Sequence, residues 1–340
     1  MNLWFGGDVM QHMPQVEAAR RGERFDYQPV FAALAPRMRA ADLAVVNLET
    51  TLTRRGHYTG YPLFRSPTAL ADALRDAGVD VAVLANNHCC DGGAEGIRTT
   101  IAELDRCGIH HTGVFADSAD YKKNNPLYLK YCGMRLAIVN YTYGTNGMPV
   151  PAGTIVNLID TVRMASDVAE ARAAGVDFIV ACLHWGNEYE RRENARQRTL
   201  AAFLRRHGVG VVVGSHPHVV QPAETIEDSA GNVRGATVYS MGNFVSNQRF
   251  PDTDGGLSVR VTLTLDEQGR TSCLPEYLIV WTCISRDPNS ASGRRYDIVP
   301  SYSRETVAPE HRDAFDRFVE RTRRHMERHG RGFTEIRCDY

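Results

Sequence analysis

The sequence predicts an α/β fold, with parallel strands inside and helices on the sheet faces. Three observations predict it. Short apolar strands alternate with amphipathic helical stretches from residue 3 to residue 213. Nearly every strand is followed at once by His, Asp, Asn or Glu. Beyond residue 237 the helical stretches give way to β-rich segments. Alternating β and α patterns form parallel sheets covered by helices, and in such folds ligands bind outside the carboxyl ends of the strands.

In chain order, LWF at 3–5 leads into Gly6, Gly7 and Asp8, read as a Gly-Gly turn followed by an acid. A helical pattern at 29–40 precedes LAVV at 43–46, which leads into Asn47 and Glu49. A helix over 67–77 has Pro at its start. VAVLA at 81–85 leads into Asn86, Asn87 and His88, and the helix over 94–107 puts Ile97, Ile101 and Leu104 on one face. A helix over 161–174 precedes DFIVACL at 177–183, which leads into His184, Trp185 and Gly186. A helix over 195–207 precedes the β-branched run Val209, Val211, Val212 and Val213, which suits a strand covered on both faces. Gly214 is read as a sharp turn. His216 and His218 flank Pro217, and in an extended segment their imidazoles point the same way. Segments 237–245, 257–265 and 276–284 read as a second, more antiparallel sheet packed on the first, with a turn at 266–270. A charged amphipathic helix over 309–329 turns Phe315, Phe318, Val319 and Met326 toward the body.

With 340 residues, 43% hydrophobic and 23% charged, the composition is that of an ordinary soluble protein, and no stretch is apolar enough to span a membrane. The net charge of −1 provides no field for nucleic acid or anionic lipid, so an anionic substrate needs a local site. The N-terminus lacks a secretory signal, which places the chain as given in the cytoplasm, or outside it if an N-terminal anchor was removed. The eight cysteines form no CxxC pair and read as buried free thiols, with Cys89 and Cys90 adjacent to His88.

Asp8, Glu49, Asn87, His184, His216 and His218 make a set of oxygen and imidazole ligands without thiolates. Such a set suits Mn, Fe or Zn, and six candidates can hold two divalent ions. A carboxylate such as Glu49 can bridge ions roughly 3.5–4 Å apart. Singly, each residue has an ordinary structural reading: Asp8 as a helix cap, His184 as a core histidine, Asn243 as a turn residue. Arg65, just before a helix start, can clamp a phosphate or carboxylate, or lie on the surface. Trp185, Glu188 and Tyr189 suit a pocket wall, and Trp185 equally suits the core.

The ordered series GDVM, NLE, ANNH with DGG, HWGNEY, SHPHVVQP and YSMGNFV, over roughly residues 2–285, resembles the bacterial capsule-synthesis family called CapA or PGA_cap, within the calcineurin-like metallophosphoesterase superfamily. The resemblance implies a four-layer α/β/β/α sandwich with a dinuclear centre at the strand ends. It assigns Asp8 and His218 to one ion, Asn87, His184 and His216 to the other, and Glu49 to the bridge. It makes His88 the catalytic histidine, oriented by Asp91, and leaves Arg65 and Asn243 as substrate-binding candidates. Two departures stand out. Met10 occupies the place where the superfamily has a histidine two residues after the first aspartate, with His12 off register, and Glu49 replaces the usual bridging aspartate.

The implied function is metal-dependent hydrolysis of a phosphate ester, linked to capsule or poly-γ-glutamate metabolism. The alternatives are hydrolase or ligase chemistry at a γ-glutamyl amide, and a non-catalytic accessory of polymer synthesis or export. The expected partner is a small-molecule or polymer substrate bearing phosphate or carboxylate, with no nucleic acid and no membrane segment. The expected organisation is one domain over 1–300 and a helical extension over 301–340.

Overall fold

The first strand shows how the layers are sorted. In β1 (Asn2–Val9) Leu3 and Phe5 point into the space between two sheets, while Trp4 lies under helices, as a period-2 strand requires. The alternation then slips. Phe5 pairs with Val45 and Asp8 with Asn47, so residues 6 and 7 stand opposite the single residue 46. This is a β-bulge, and it transfers Asp8 to the inner face and Val9 to the outer one. The Gly6-Gly7 pair expected to turn is therefore an extra residue inside a continuous strand. Gly7 also has no room for a side chain, because an ideal Cβ would lie 2.2 Å from the Gly242 carbonyl oxygen.

In the computed structural model, which describes residues 1–54 and 56–338, β1 lies at the centre of the first sheet. On one side run β2 (Leu43–Leu48), β3 (Val81–Val83) and β4 (His110–Thr112), all parallel. The second sheet contains β5 (Leu127–Tyr131), β6 (Met134–Thr142), β7 (Phe178–His184), β8 (Val211–Ser215), β9 (Ala223–Glu227) and β10 (Val233–Val238). Its order is β5-β6-β7-β8-β10-β9, parallel except at the two edge strands. The chain then returns to the first sheet. There β11 (Asn243–Val245) runs parallel to the end of β1, and β12 (Gly255–Leu265), β13 (Thr271–Arg286) and β14 (Arg294–Pro300) extend the sheet antiparallel.

Helices α1 (Met13–Ala19), α2 (Gln28–Phe31), α3 (Ala35–Ala40), α4 (Ala69–Ala77) and α5 (Gly93–Cys107) supply the apolar cluster on the outer face of the first sheet. A short α6 (Ser118–Asn124) precedes β5. Helices α7 (Thr161–Ala173) and α8 (Ala195–His207) cover the second sheet with Met164, Val168, Leu200 and Leu204. Between the sheets, Leu3, Phe5, Val45 and Val83 meet Leu136, Ile138, Val180 and Val213. The result is the four-layer α/β/β/α sandwich.

Four expectations need correction. The segments after residue 222 do not form a sheet of their own; they complete both sheets, because 237–245 crosses from β10 to β11. The single helix expected over 29–40 is two, since Pro36 falls in the first turn of α3 and cannot continue a preceding helix. Strands β5 and β6 were not anticipated, although MRLAIVNYT has the same apolar run and polar end as its neighbours. Gly214 is not a turn but a strand residue paired with Leu183, small because a Cβ would lie 1.9 Å from the Tyr239 carbonyl oxygen.

Helix α9 (Arg312–His329) buries Phe315, Phe318, Val319 and Met326 in the inter-sheet cluster beside Tyr277 and Trp281 of β13. Thr334 and Glu335 then pair with β13; residues 339–340 of the expected extension lie outside the described residues. Among the described residues, no helix is long and apolar enough to cross a membrane. All eight cysteines are free, six of them buried.

Candidate metal centre

The parallel strands of the two sheets deliver their carboxyl ends to one edge of the sandwich. The bulge aims Asp8 there, and Glu49 follows β2 with its amide donating to the Val9 carbonyl at 3.0 Å. Asn87 and His88 lie in the turn between β3 and α5, and His184 is the last residue of β7. His216 and His218 follow β8 in a bend, not in the extended segment expected. Their φ values of 101° and 58° lie in the left-handed region, which a non-glycine residue occupies only when its surroundings hold it there. Their rings nevertheless converge, with centroids 6.0 Å apart.

All six expected metal ligands meet, five of them in two groups that share one residue. Glu49, His184 and His216 offer ligand atoms within 4.8 Å of one another, and so do Asp8, Glu49 and His218. Glu49 Oε1 faces both groups, 3.5 Å from His184 Nε2 and 3.9 Å from His218 Nε2. Asn87, the sixth, joins through Oδ1, 2.8 Å from His184 Nε2.

The electrostatics of this cluster are those of a cation site. Both Glu49 oxygens are buried without a hydrogen-bond partner, and so is His216 Nδ1. A buried carboxylate left in that state is costly. Burial, then the adjacent Asp8, push the Glu49 carboxyl well above its ordinary range. Burial and the other histidines push His184 well below its ordinary range and His216 down to about 3, so both rings are neutral at neutral pH, the form that ligates metal. Oxygen and neutral imidazole donors converging on an orphaned carboxylate fit divalent transition-metal ions.

Surrounding amides orient the ligands. Asn47 Nδ2 donates to Asp8 Oδ1 at 2.7 Å, and the His216 amide donates to Asp8 Oδ2 at 3.3 Å. Asn243, expected as a substrate-binding residue, is engaged within this layer. Its Nδ2 donates to the Thr253 carbonyl at 2.8 Å and to Gln248 Oε1 at 3.0 Å, which fixes Oδ1 against His218 Nδ1 at 3.1 Å. Fully buried and with both ends engaged, Asn243 has no group to offer a ligand. With Asp8 Oδ2 3.3 Å from the same nitrogen, it turns His218 Nε2 toward Glu49 Oε1 at 3.9 Å.

His88 and Asp91 stand beside the cluster. His88 Nδ1 lies 2.7 Å from Asp91 Oδ2, which also accepts from the Phe64 amide at 2.6 Å. The other ring nitrogen, Nε2, faces Asn146 Nδ2 at 3.5 Å, and Asn146 Oδ1 accepts from Asn87 Nδ2 at 3.2 Å. His88 thus touches the metal-side asparagine through one intermediary and sits in neither ligand group. Arg65, expected as a substrate clamp, donates from Nε and one Nη to the Asp91 carbonyl oxygen at 3.1 and 3.0 Å, which braces the His88 turn. Trp185 is core, its Nε1 donating to the Tyr239 carbonyl.

Two residues were not foreseen, Tyr143 and Asn146. Both follow β6, the unanticipated strand; the Tyr143 ring lies 4.5 Å from that of His216. The polar sequence NYTYGTN after the LAIV run was the available signal.

The family described as bacterial capsule synthesis protein PGA_cap matches residues 2–248, ending short of the 285 expected. The PGA biosynthesis protein CapA of Bacillus subtilis is 28% identical over 276 residues, 80% of this chain and 70% of that protein. The capsule biosynthesis protein CapA of Bacillus anthracis is 29% identical over 196 residues, and the match spans 56% of this chain and 46% of that one. The chain therefore spans about half the length of this second relative. Among solved structures, a calcineurin-like phosphoesterase from Bacillus subtilis aligns over 95% of this chain and 98% of its own at 13% identity, with a TM-score of 0.49.

Proposed function

This chain belongs to the bacterial capsule synthesis protein family PGA_cap, and from that premise we propose that it is a metal-dependent hydrolase of phosphoesterase type that uses two divalent ions of the Mn, Fe or Zn class. The observation that carries the reading is Glu49, an orphaned buried carboxylate shared by two ligand groups. Asp8 and His218 would hold one ion, Asn87, His184 and His216 the other, with Glu49 between them. The ions, when bound, supply Lewis acidity and lower the pKa of water so that a nucleophile exists at neutral pH.

The side chains around them do the remaining work. Asp91 fixes the ring of His88 through Nδ1, and the opposite nitrogen, Nε2, is the atom at which a proton is held for the leaving oxygen or charge is steadied. Arg65 acts through Asp91 by bracing its carbonyl. Tyr143 and Tyr189 flank the histidines and wall the mouth, their rings centred 4.5 Å from His216 and 6.3 Å from His218.

The names of the relatives, which refer to PGA biosynthesis and capsule biosynthesis, favour a substrate that carries phosphate or carboxylate and belongs to capsule or polyglutamate metabolism. They also sustain a second reading, reaction at a γ-glutamyl amide, and a third, a non-catalytic accessory role.

Loading the purified protein with Mn²⁺ and assaying aryl phosphate mono- and diesters beside a γ-glutamyl peptide separates these. We expect two metal equivalents and turnover of a phosphate ester. Turnover of the peptide alone selects the amide reading; two equivalents without turnover of either selects the accessory one. Less than about half an equivalent, unchanged when His216 and His218 become Ala, removes the metal reading altogether.

A further inference from the structure

The two ligand groups are unequal. Counting Asn87, one ion has four protein candidates, Glu49, His184, His216 and Asn87, whereas Asp8, Glu49 and His218 give the other only three. Divalent transition-metal ions take four or more ligands. Met10 does not make up the number. It is buried, its amide donates to the Val245 carbonyl at 3.0 Å, and it carries only a soft thioether.

A third group adjoins this one through His218. Glu188, His216 and His218 also place ligand atoms within 4.8 Å of one another, and Glu188 is the exposed member of the three. Its loop is tied to the histidine bend: the Tyr189 amide donates to the Pro217 carbonyl at 2.8 Å, and the Tyr189 ring lies 6.3 Å from that of His218. Gly186 at φ 88° and Tyr189 at φ 65° bend the chain on either side, so that Glu188 stands over the histidines at the solvent mouth while Trp185 stays in the core.

We infer that Glu188 is the fourth protein ligand of the Asp8, Glu49 and His218 ion. As the one solvent-exposed carboxylate of the set, it is also the ligand that an incoming anionic substrate displaces. A buried ligand cannot exchange in this way, because it has no solvent to receive it. This deepens the proposed function and rests on it.

The test is calorimetric titration of Mn²⁺ into the apo protein, for the parent, Glu188→Gln, Glu188→Asp, Asp8→Asn and His184→Ala. The parent should bind two equivalents. Glu188→Gln should keep one at parental affinity and weaken the other by at least about tenfold. That weakened equivalent should be the one lost in Asp8→Asn and retained in His184→Ala, with Glu188→Asp intermediate. A Glu188→Gln protein that titrates like the parent, that weakens both equivalents alike, or that weakens the one His184→Ala removes, overturns the assignment. A parent that binds a single equivalent also overturns the assignment, and one that binds less than about half an equivalent instead overturns the metal reading on which it rests. Because Glu188 is exposed, the variants should match the parent's apo melting temperature, and an apo protein destabilised by Glu188→Gln would make the residue structural and overturn the inference too.

Discussion

At the scale of single residues, the proposed function divides ligation and catalysis between Asn87 and His88, neighbours in the chain with different contacts. Asn87 Oδ1 contacts His184, whereas His88 is pinned to Asp91 outside both ligand groups. His88→Ala should therefore keep two metal equivalents. It should lower the rate on a phosphate ester with a poor leaving group by about 10²–10⁴, and lower it less for a good leaving group that needs no proton. Loss of metal, or an undiminished rate on the poor leaving group, would show the ring to be a ligand or a structural part. Asn243 makes the complementary case. Asn243→Ala frees His218 to rotate and should weaken metal binding by about 10–100-fold, as seen by chelator competition, since the amide orients a ligand without touching the ion. Unchanged affinity would mean that the histidine is held by its strained backbone and by Asp8 Oδ2, 3.3 Å from the same nitrogen.

At the scale of elements, the bulge in β1 and the tight end of β8 position the ligands. Without the extra residue at 6 and 7, Asp8 would fall on the helix-covered face, away from every histidine. At the end of β8, Gly214 lets β8 pass the Tyr239 carbonyl and the indole of Trp185, which an ideal Cβ would approach to 1.9 and 2.5 Å. Gly214→Ala must push these apart, and overpacking of this kind costs about 1–3 kcal/mol or more. Because His216 lies two residues on, the melting temperature and the metal affinity should fall together. A protein that lost neither would show that the strand end can yield without moving the bend. Helix α9 is likewise a core element: Phe315 is fully buried, its ring 5.7 Å from that of Trp281. Phe315→Ala should destabilise by about 3–5 kcal/mol in denaturant unfolding, whereas a value below about 1 kcal/mol would mean that the helix is merely appended.

At the scale of the whole molecule, stability depends on histidines that the fold keeps neutral. Burial, then the nearby Arg191, push His325 on α9 down to about 3. Its folded value lies below the ordinary one of about 6.5, so the unfolded chain takes up the proton first, and stability is lost as pH falls from about 6.5 toward 3. The slope from this group is at most about 1.4 kcal/mol per pH unit. Denaturant unfolding at pH 7 and pH 5 should show the loss, and His325→Gln should reduce it by up to about 2 kcal/mol; equal losses in both proteins would remove the histidine from the cause. The same whole-molecule view shows what was legible beforehand. The residues that meet in the cluster were readable because each parallel strand stops on a polar residue at the same edge, a regularity that survives in one dimension. The bulge was not readable, since Gly-Gly is as good a turn as a bulge until a neighbouring strand supplies the register. Nor was the role of Asn243 or of Arg65, whose hydrogen bonds run to residues 25 and 26 positions away. The alternation of strands and helices and the donor types at their ends could be read in one dimension, because these follow from local periodicity and side-chain chemistry. That one carboxylate, Glu49, faces both His184 and His218 and that Glu188 stands over the histidines emerges in three dimensions alone, because those positions depend on how two sheets stack and how two loops meet.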